Sequence, residues 1–477
     1  MRTRLLAGIF ARAIFLFGTA AGILGQNIQG VLAPAVNANF DARVAALEKQ
    51  IGDQEKQLQS LKDEIELLKT ANSAPDKPAA GLSQAAISSR PTLSGEEAPV
   101  LALTTPRSTP QVSATRSSLD AALASTHFIG LMDVYYSYNV HQPVSGVSTL
   151  RLFDSQTNQF ALNLLELGVV RAPDSDNRIG YDFTLGFGDA VNFVNQRDPG
   201  GLGFAQYLKD AYVSYLAPVG SGLQIDVGKF SPNVGAEVME SSGNWNYSRG
   251  LLYDNGLPFY LFGARSRYSF SPKYQVTGYL VNGWDNVVDT YSSGKTVGLG
   301  FRWAPARTFS VTESVLGGRG ATPQDIGWRK LTSTVVQYSP RGNVSLMANA
   351  IYGLSDNYAG FQKPVQWSGL AGYVQYRLTP LYSFATRYEY YSDPDGVTTC
   401  GPCSAPTPQH LHESTVTMER RFPSHLIARF ETRYDRSDQP VFFRANTPIH
   451  TQLTATASLM FTFGSEVSPV QGGNDGK

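Results

Sequence analysis

Residues 452–463 read QLTATASLMFTF, and apolar side chains occupy every second position of this stretch. Most of the positions between them carry Gln, Thr or Ser. A period of two is the repeat of a β-strand, whose successive side chains point to opposite faces. The stretch therefore predicts a strand with one apolar face and one polar face.

The same alternation recurs in segments of about ten residues from about Phe128 to Phe463, separated by Gly, Pro, Asp and Asn. In residues 383–390, SFATRYEY, Arg387 and Glu389 share one face while the aromatic residues share the other. A soluble β-sandwich alternates as well, with charges on its solvent face. Strand length and loop asymmetry favour a membrane barrel whose apolar face points outward.

The connections between these segments alternate in length. Short turns occur near 172–174, 218–220, 271–273, 339–341 and 423–424, and longer polar loops occur near 140–158, 193–205, 231–258, 283–295, 318–328, 354–366, 392–410 and 436–448. Short periplasmic turns and long external loops are typical of all-β transmembrane barrels. The count predicts about sixteen antiparallel strands around an aqueous lumen, and Trp303, Tyr260 and Tyr388 suit outward aromatic girdles.

The composition excludes several classes of protein. Lys and Arg total 39 and Asp and Glu total 39, so the net charge is zero and no nucleic-acid-binding surface is indicated. Only 16% of the residues are charged, below the roughly 25% of soluble domains. With 2 Cys in the chain, neither a disulfide scaffold nor a thiolate cluster is available.

The N-terminal region predicts export and self-association. Arg2 and Arg4 precede an apolar stretch at 13–24, which indicates a signal peptide within residues 1–35. Residues 41–70 predict an α-helical coiled coil, because its core positions alternate by three and four. These positions are Val44, Leu47, Ile51, Gln54, Leu58, Leu61, Ile65 and Leu68. A helix that packs on the barrel or stands alone in solvent is the alternative, and the core residues do not separate a dimer from a trimer.

The remaining boundaries follow from composition. Residues 71–126 are rich in Pro, Ser and Ala and predict a linker, residues 127–464 predict the barrel, and residues 465–477 form a C-terminal tail. The coiled coil is expected in the periplasm, below a barrel in the bacterial outer membrane.

Several motifs resemble one family. GKF at 228–230 is followed by GAEVMES, NWNYSRGLLYDNGLPF and GARSRY, and MDVYYSYN and RLFD occur earlier in the chain. Together they resemble the OmpL-like β-barrel porins of Gram-negative bacteria over residues 128–463. The resemblance implies a pore for passive diffusion of small hydrophilic solutes or ions, with no cofactor. By analogy with porins it favours a homotrimer in outer-membrane lipid.

The longest polar insertion, 231–258, is the third external loop in this count. In general porins the third loop folds into the lumen, so the resemblance makes its charged residues candidates for a pore constriction: Glu237, Glu240, Arg249 and Asp254. Arg265 and Arg267 are expected to project inward opposite them. Facing acids and bases would create a transverse field in a narrow passage. The alternative is that these residues only brace the loop against the wall.

A ladder of charges is expected on the inner face of the late strands: Arg387, Glu389, Glu419, Arg421, Arg429, Glu431, Arg433 and Asp435. Mutual pairing is favoured over an open lane for ions. Because acids interleave with the arginines, strong anion selectivity, as in a phosphate-selective porin, is disfavoured.

No enzymatic motif stands out. Cys400 and Cys403 form a CGPC sequence in a Pro-rich loop without a βαβ pattern, which favours a local disulfide over a redox site. His410 and His412 give only a weak metal signal, so neither a metal nor a catalytic residue is predicted. A barrel enzyme would need a Ser/His or Asp/His arrangement at the rim. The main alternative to a porin is a structural or adhesive anchor whose coiled coil contacts the cell wall.

Overall fold

The computed structural model describes residues 125–196, 198, 205–288, 294–320, 325, 327–399 and 406–464. Sixteen strands form one closed antiparallel barrel, in which each strand pairs with the barrel strands that precede and follow it, and β1 (His127–Asn139) closes the barrel on β18 (Thr451–Gly464). The predicted barrel and its strand number are confirmed. Two further strands, β16 (Phe442–Arg444) and β17 (Thr447–Ile449), form a separate hairpin in the loop before β18.

The strands are β1 (His127–Asn139), β2 (Gln159–Arg171), β3 (Ile179–Phe187), β4 (Leu208–Ala217), β5 (Leu223–Phe230), β6 (Leu261–Ser271), β7 (Tyr274–Val281), β8 (Thr296–Ala306), β9 (Phe309–Arg319), β10 (Trp328–Arg341), β11 (Val344–Ser355), β12 (Val365–Arg377), β13 (Tyr382–Asp393), β14 (Gln409–Arg421), β15 (Leu426–Ser437), β16 (Phe442–Arg444), β17 (Thr447–Ile449) and β18 (Thr451–Gly464). Two short helices lie in loops: α1 (Asp189–Val194) and α2 (Leu251–Gly256). No helix among the described residues is long and apolar enough to cross a membrane.

The alternation read from the sequence separates the two faces of the barrel. On β18, Gln452 and Thr454 are buried inside, whereas Leu459 and Phe461 are 49% and 41% exposed on the outside. The closing register sets Asp133 of β1 against Met460 of β18. A closed barrel satisfies all strand edges, so the apolar outside can face lipid without unpaired backbone groups.

Loop lengths differ at the two ends of the barrel. The turns at 272–273, 307–308 and 342–343 lie at one end, here called the short-turn end, whereas α1, α2 and the β16–β17 hairpin lie in long loops at the other. In outer-membrane barrels the short-turn end faces the periplasm. Buried apolar residues, among them Tyr247 and Trp367, cluster in the barrel interior.

The predicted aromatic girdle is correct at two positions and wrong at the third. Trp303 and Tyr388 are 37% and 52% exposed on the outer face. Tyr260 is buried, because it ends the loop before β6 and packs inward with the Lys229 ammonium 4.0 Å from the ring centroid. The hydroxyl of Tyr260 donates a hydrogen bond to Asp198.

Several predictions lie outside the described residues. They are the signal peptide (1–35), the coiled coil (41–70) with its core positions, nearly all of the linker, the C-terminal tail (465–477), Cys400 and Cys403.

Candidate functional site

The loop of residues 231–258, here called the lumen loop, lies inside the barrel between β5 and β6. Its Asn233 carbonyl accepts a hydrogen bond from Ser314 Oγ of β9 at 3.2 Å. On the other side, Tyr247 Oη donates to Asp133 Oδ1 of β1 at 3.0 Å. Because β1 and β9 lie on opposite sides of the closed barrel, the loop crosses the lumen.

Carboxylates hold the middle of the lumen loop by its backbone amides. Glu431 of β15 accepts from the N–H groups of Tyr247 at 2.6 Å and Ser248 at 3.0 Å. Glu389 of β13 accepts from the N–H of Leu251, at the start of α2. These bonds satisfy backbone donors of the loop that are buried away from water. These two predicted ladder residues therefore bind the loop.

Arginines of the same wall bind the lumen loop's carbonyl groups. The Arg429 guanidinium of β15 donates to the carbonyl oxygens of Ser241 at 2.6 Å, Asn244 at 2.6 Å and Asn246 at 2.8 Å. Arg433 adds a bond to the carbonyl oxygen of residue 249 at 2.6 Å. The fork of a guanidinium suits several acceptors at once.

All eight predicted ladder residues lie on the inner face of β13, β14 and β15. They also pair with one another and with the lumen loop. Arg387 bonds Glu413 at 2.8 Å and Glu237 at 2.6 Å, and Arg429 bonds Glu419 at 2.7 Å. Buried charges of this kind persist only when paired and hydrogen-bonded. Sequence reasoning overlooked Glu413, although it lies inward on β14, opposite Glu389 of β13 and Asp435 of β15.

Arg433 and Arg421 complete the ladder in different surroundings. Arg433 is fully buried and pairs with Asp435 at 2.8 Å. Arg421 pairs with Glu419 at 2.7 Å, yet half of its side chain remains accessible at the short-turn end. Most of the ladder is therefore closed to solvent, and Arg421 is its accessible residue at the short-turn end.

Arg249 of the lumen loop lies in a closed pocket. It donates to the Tyr247 carbonyl oxygen at 3.0 Å and to Asn163 Oδ1 of β2 at 3.3 Å. Its guanidinium carbon lies 4.3 Å from the centroid of the Phe153 ring, a cation–π contact with the loop between β1 and β2. Arg249 is fully buried, so it braces the loop in this conformation and does not face open water.

Asp254 lies on α2, outside the membrane-spanning strands, and is also buried. Burial raises the pKa of Asp254 to about 8, against the opposing charges of Arg433 and Arg249. One carboxyl oxygen, Oδ1, has no hydrogen-bond partner. At neutral pH this side chain is largely protonated and contributes little charge to the lumen.

Glu240 of the lumen loop is tied to a different wall. Together with Glu166 of β2 and Asp210 of β4 it surrounds the buried Lys209 ammonium. The Lys209 Nζ lies 2.8 Å from Asp210 and 3.2 Å from Glu166. The shared lysine thus ties Glu240 of the lumen loop to β2 and β4.

Arg265 and Arg267 point inward from β6, and their acidic partner is on the neighbouring strand. They contact Asp226 of β5 at 2.8 and 3.4 Å, and Arg265 also donates to the Ser231 carbonyl oxygen of the lumen loop at 3.1 Å. Side chains on adjacent strands contact each other without crossing the lumen, so the arginines pair with the acid on the neighbouring strand. Glu237 instead pairs with Arg387 on the far wall.

Open space lies on the short-turn side of the lumen loop. A cavity of about 1530 Å³ is lined by loop residues from Pro232 to Val238 and by the inner faces of β7 to β14. Its polar lining includes Gln275, Ser310 and Gln337, and Arg302, which the sequence reasoning did not single out. Across the described ranges, no group of three His, Cys, Asp or Glu side chains could hold a metal ion.

A closed sixteen-strand barrel with an apolar exterior and a charged lumen crossed by a loop defines a porin-type outer-membrane protein. Residues 125–463 match the model of the family described as "Putative beta-barrel porin-2, OmpL-like". The chain belongs to this family of outer-membrane porins, as the sequence motifs indicated.

Comparison with solved structures returns outer-membrane proteins. The trimer form of OmpT from Vibrio cholerae is 9% identical in sequence, and the match covers 71% of this chain and 99% of that chain with a TM-score of 0.48. The anion-selective porin from Comamonas acidovorans shares 10% identity over 71% and 99%, with a TM-score of 0.47. The channel DcaP of Acinetobacter baumannii shares 12% identity over 70% and 97%, with a TM-score of 0.46. Among curated proteins, none matches this chain.

Proposed function

We propose that this protein forms a water-filled channel through which small hydrophilic solutes or ions diffuse passively across the outer membrane. The observation that supports this best is the polar cavity of about 1530 Å³ inside the barrel, beneath the lumen loop. Sixteen strands enclose enough space for an aqueous passage even after a loop has entered it. Solutes would pass between the lumen loop and the wall formed by β7 to β12.

In this proposal the lumen loop is the constriction, and most of its charged residues set its position. Glu237 and Arg249 bond the loop to the wall, and both are buried. Their contribution to selectivity is therefore indirect, since they decide how much of the lumen the loop fills. Arg265 and Arg267, held by Asp226, stiffen the wall beside the loop.

The test is planar-bilayer recording with the purified full chain. We expect steady conductance steps in KCl. A folded, heat-modifiable barrel that inserts into the bilayer without conductance would contradict the channel. Deleting residues 240–250 while keeping the strands should enlarge the step, since the loop would no longer cross the lumen.

One observation favours the anchor as a second candidate function. The inward side chains of β13 to β15 pack directly against the lumen loop and are mostly buried, so this side of the lumen is filled. An anchor would conduct poorly, and its predicted periplasmic coiled coil would link the barrel to the cell wall. Deleting residues 41–70 should then release the protein from isolated cell-wall material, whereas a channel would keep its conductance.

We also propose that the protein is a homo-oligomer, and a trimer fits the analogy with porins. Beyond the predicted coiled coil, Glu313 of β9 supports this, because it lies on the outer face with Thr332 and Thr334 of β10 as hydrogen-bond donors. A carboxylate on a lipid-facing wall is costly unless another surface covers it. Cross-linking should detect an oligomer that Glu313→Arg weakens and Glu313→Gln preserves.

A further inference from the structure

The cavity beneath the lumen loop has an unbalanced charge. Six basic side chains line it: Lys273, Arg302, Arg307, Arg341, Arg377 and Arg421. Within the described part of the chain, its acidic lining residues are Glu237 and Glu419. The basic residues lie at or near the short-turn end of β7, β8, β10, β12 and β14.

Glu237 and Glu419 are already neutralised by arginines of β13 and β15, whose inward side chains pack against the lumen loop. Glu237 bonds Arg387 at 2.6 Å, and Glu419 bonds Arg429 at 2.7 Å in addition to Arg421. Arg387 and Arg429 are almost fully buried, so these pairs face the lumen loop and leave the cavity's positive charge in place.

Three of the arginines keep their charge available. In the ranges that the structure describes, Arg302, Arg341 and Arg377 form no ion pair with an acid, unlike the ladder arginines. Arg341 and Arg377 are exposed, and their strands lie on either side of β11. Arg302 lines the same cavity from β8. A guanidinium that lines a polar cavity without a neighbouring carboxylate keeps its charge and its donors for an anion.

We propose that this vestibule, built around Arg302, Arg341 and Arg377, makes the channel prefer small anions, such as chloride, phosphate and short carboxylates. The inference rests on the proposed channel function. Charges of one sign in a passage with low-dielectric walls raise the local concentration of the opposite ion. Guanidinium groups also match the oxygen pairs of phosphate and carboxylate.

This proposal reverses the expectation drawn from the late-strand ladder. In the ladder each arginine has an acid on its own face, and Arg387, Arg429 and Arg433 also bind the lumen loop. Selectivity instead comes from arginines that the sequence reasoning did not single out, on strands where no acid stands beside them.

The experiment measures the ratio of chloride to potassium permeability from reversal potentials in asymmetric KCl. The unmodified protein should favour chloride. The double variant Arg341→Gln/Arg377→Gln should lower the ratio by about fourfold or more at low salt, since it removes two unit charges, each of which changes the local ion concentration about twofold from a few ångströms away. The matched control is Arg420→Gln/Arg436→Gln, which removes two charges from the outer faces of β14 and β15.

The outcomes separate the two proposals. Absence of conductance in a folded barrel overturns the channel and this inference with it. Steady conductance that favours potassium, or a ratio that the double variant leaves unchanged, overturns the anion vestibule alone. A drop in the ratio that the control reproduces also overturns it, because the effect would then come from net charge. Competition of phosphate with the chloride current, reduced in the double variant, supports it further.

Discussion

Replacing Arg429 with Met should release the lumen loop. Met has a similar length but no charge, so the shape of the wall is largely kept. The substitution removes three hydrogen bonds to loop carbonyl groups, of 2.6, 2.6 and 2.8 Å. Glu419 loses one partner but keeps Arg421 at 2.7 Å, so no isolated carboxylate remains in the wall.

The size of the effect follows from those bonds. Hydrogen bonds to a charged donor contribute about 1.5 to 3 kcal/mol each, so their simple sum is about 4.5 to 9 kcal/mol. Water from the adjoining cavity can satisfy part of the freed carbonyls, since Glu419 lines that cavity. We expect loop docking to weaken by about 3 kcal/mol, a more than roughly hundredfold rise in the undocked population.

Trypsin provides the assay, because Arg249 is a cleavage site that is fully buried while the loop is docked. When opening is fast, cleavage follows the undocked population, so mass spectrometry should show a more than roughly hundredfold faster cut after Arg249. Single-channel steps should become larger and noisier. The control Arg436→Met makes the same change on the outer face of β15. A folded Arg429→Met barrel with unchanged steps and a cleavage rate within about threefold of the unmodified protein would refute the reasoning.

Three further predictions use the same readouts. The raised pKa of Asp254, about 8, means that its docked form binds a proton more tightly than the free loop, so docking should weaken as pH rises from about 4 to 8; Asp254→Asn should abolish this dependence of conductance on pH. In Gly250→Ala, the new methyl group would collide with the Glu389 carboxylate, so trypsin cleavage should accelerate. Tyr247→Phe removes the bond to Asp133 and should weaken docking by about 1 to 2 kcal/mol.

Two of these predictions have a control variant of the same kind. Gly342→Ala adds a methyl group in a turn with no atom within 4 Å, and should leave cleavage unchanged. Tyr434→Phe removes a hydroxyl from the outer face of β15. Equal effects in these controls would show that the readouts report general destabilisation. A pH dependence that persists in Asp254→Asn would assign the titration to another group.

The barrel was predictable because its signal is local. Alternation places Arg387 and Glu389 on one face and Tyr388 on the other within a single strand. This assignment of faces does not depend on any distant residue. Turn lengths then give the strand order, since antiparallel neighbours along the chain pair with each other. Strand number and facing therefore follow from patterns only a few residues long.

The lumen contacts were not predictable in the same way. Glu237 meets Arg387 across 150 positions of the chain, and a single sequence carries no sign of that pair. The prediction that Tyr260 faces outward was wrong for a related reason. At a strand boundary, a shift of one residue decides whether a ring faces lipid or the lumen. The sequence places Arg265 opposite the acids of the lumen loop, but it does not show that Asp226 is its direct neighbour on the adjacent strand.

One further signal was present in the sequence. Residues two apart on a strand share a face, so an arginine with an acid two positions away can neutralise its own charge. Each ladder arginine satisfies this condition, and the ladder binds the lumen loop. The cavity arginines on β8, β10 and β12 do not, because the residues two positions away are uncharged: Gly300 and Ala304, Ser339 and Asn343, and Gln375 and Thr379. Spacing along the strand thus separates arginines that have an acid beside them from those that leave a positive field in the lumen.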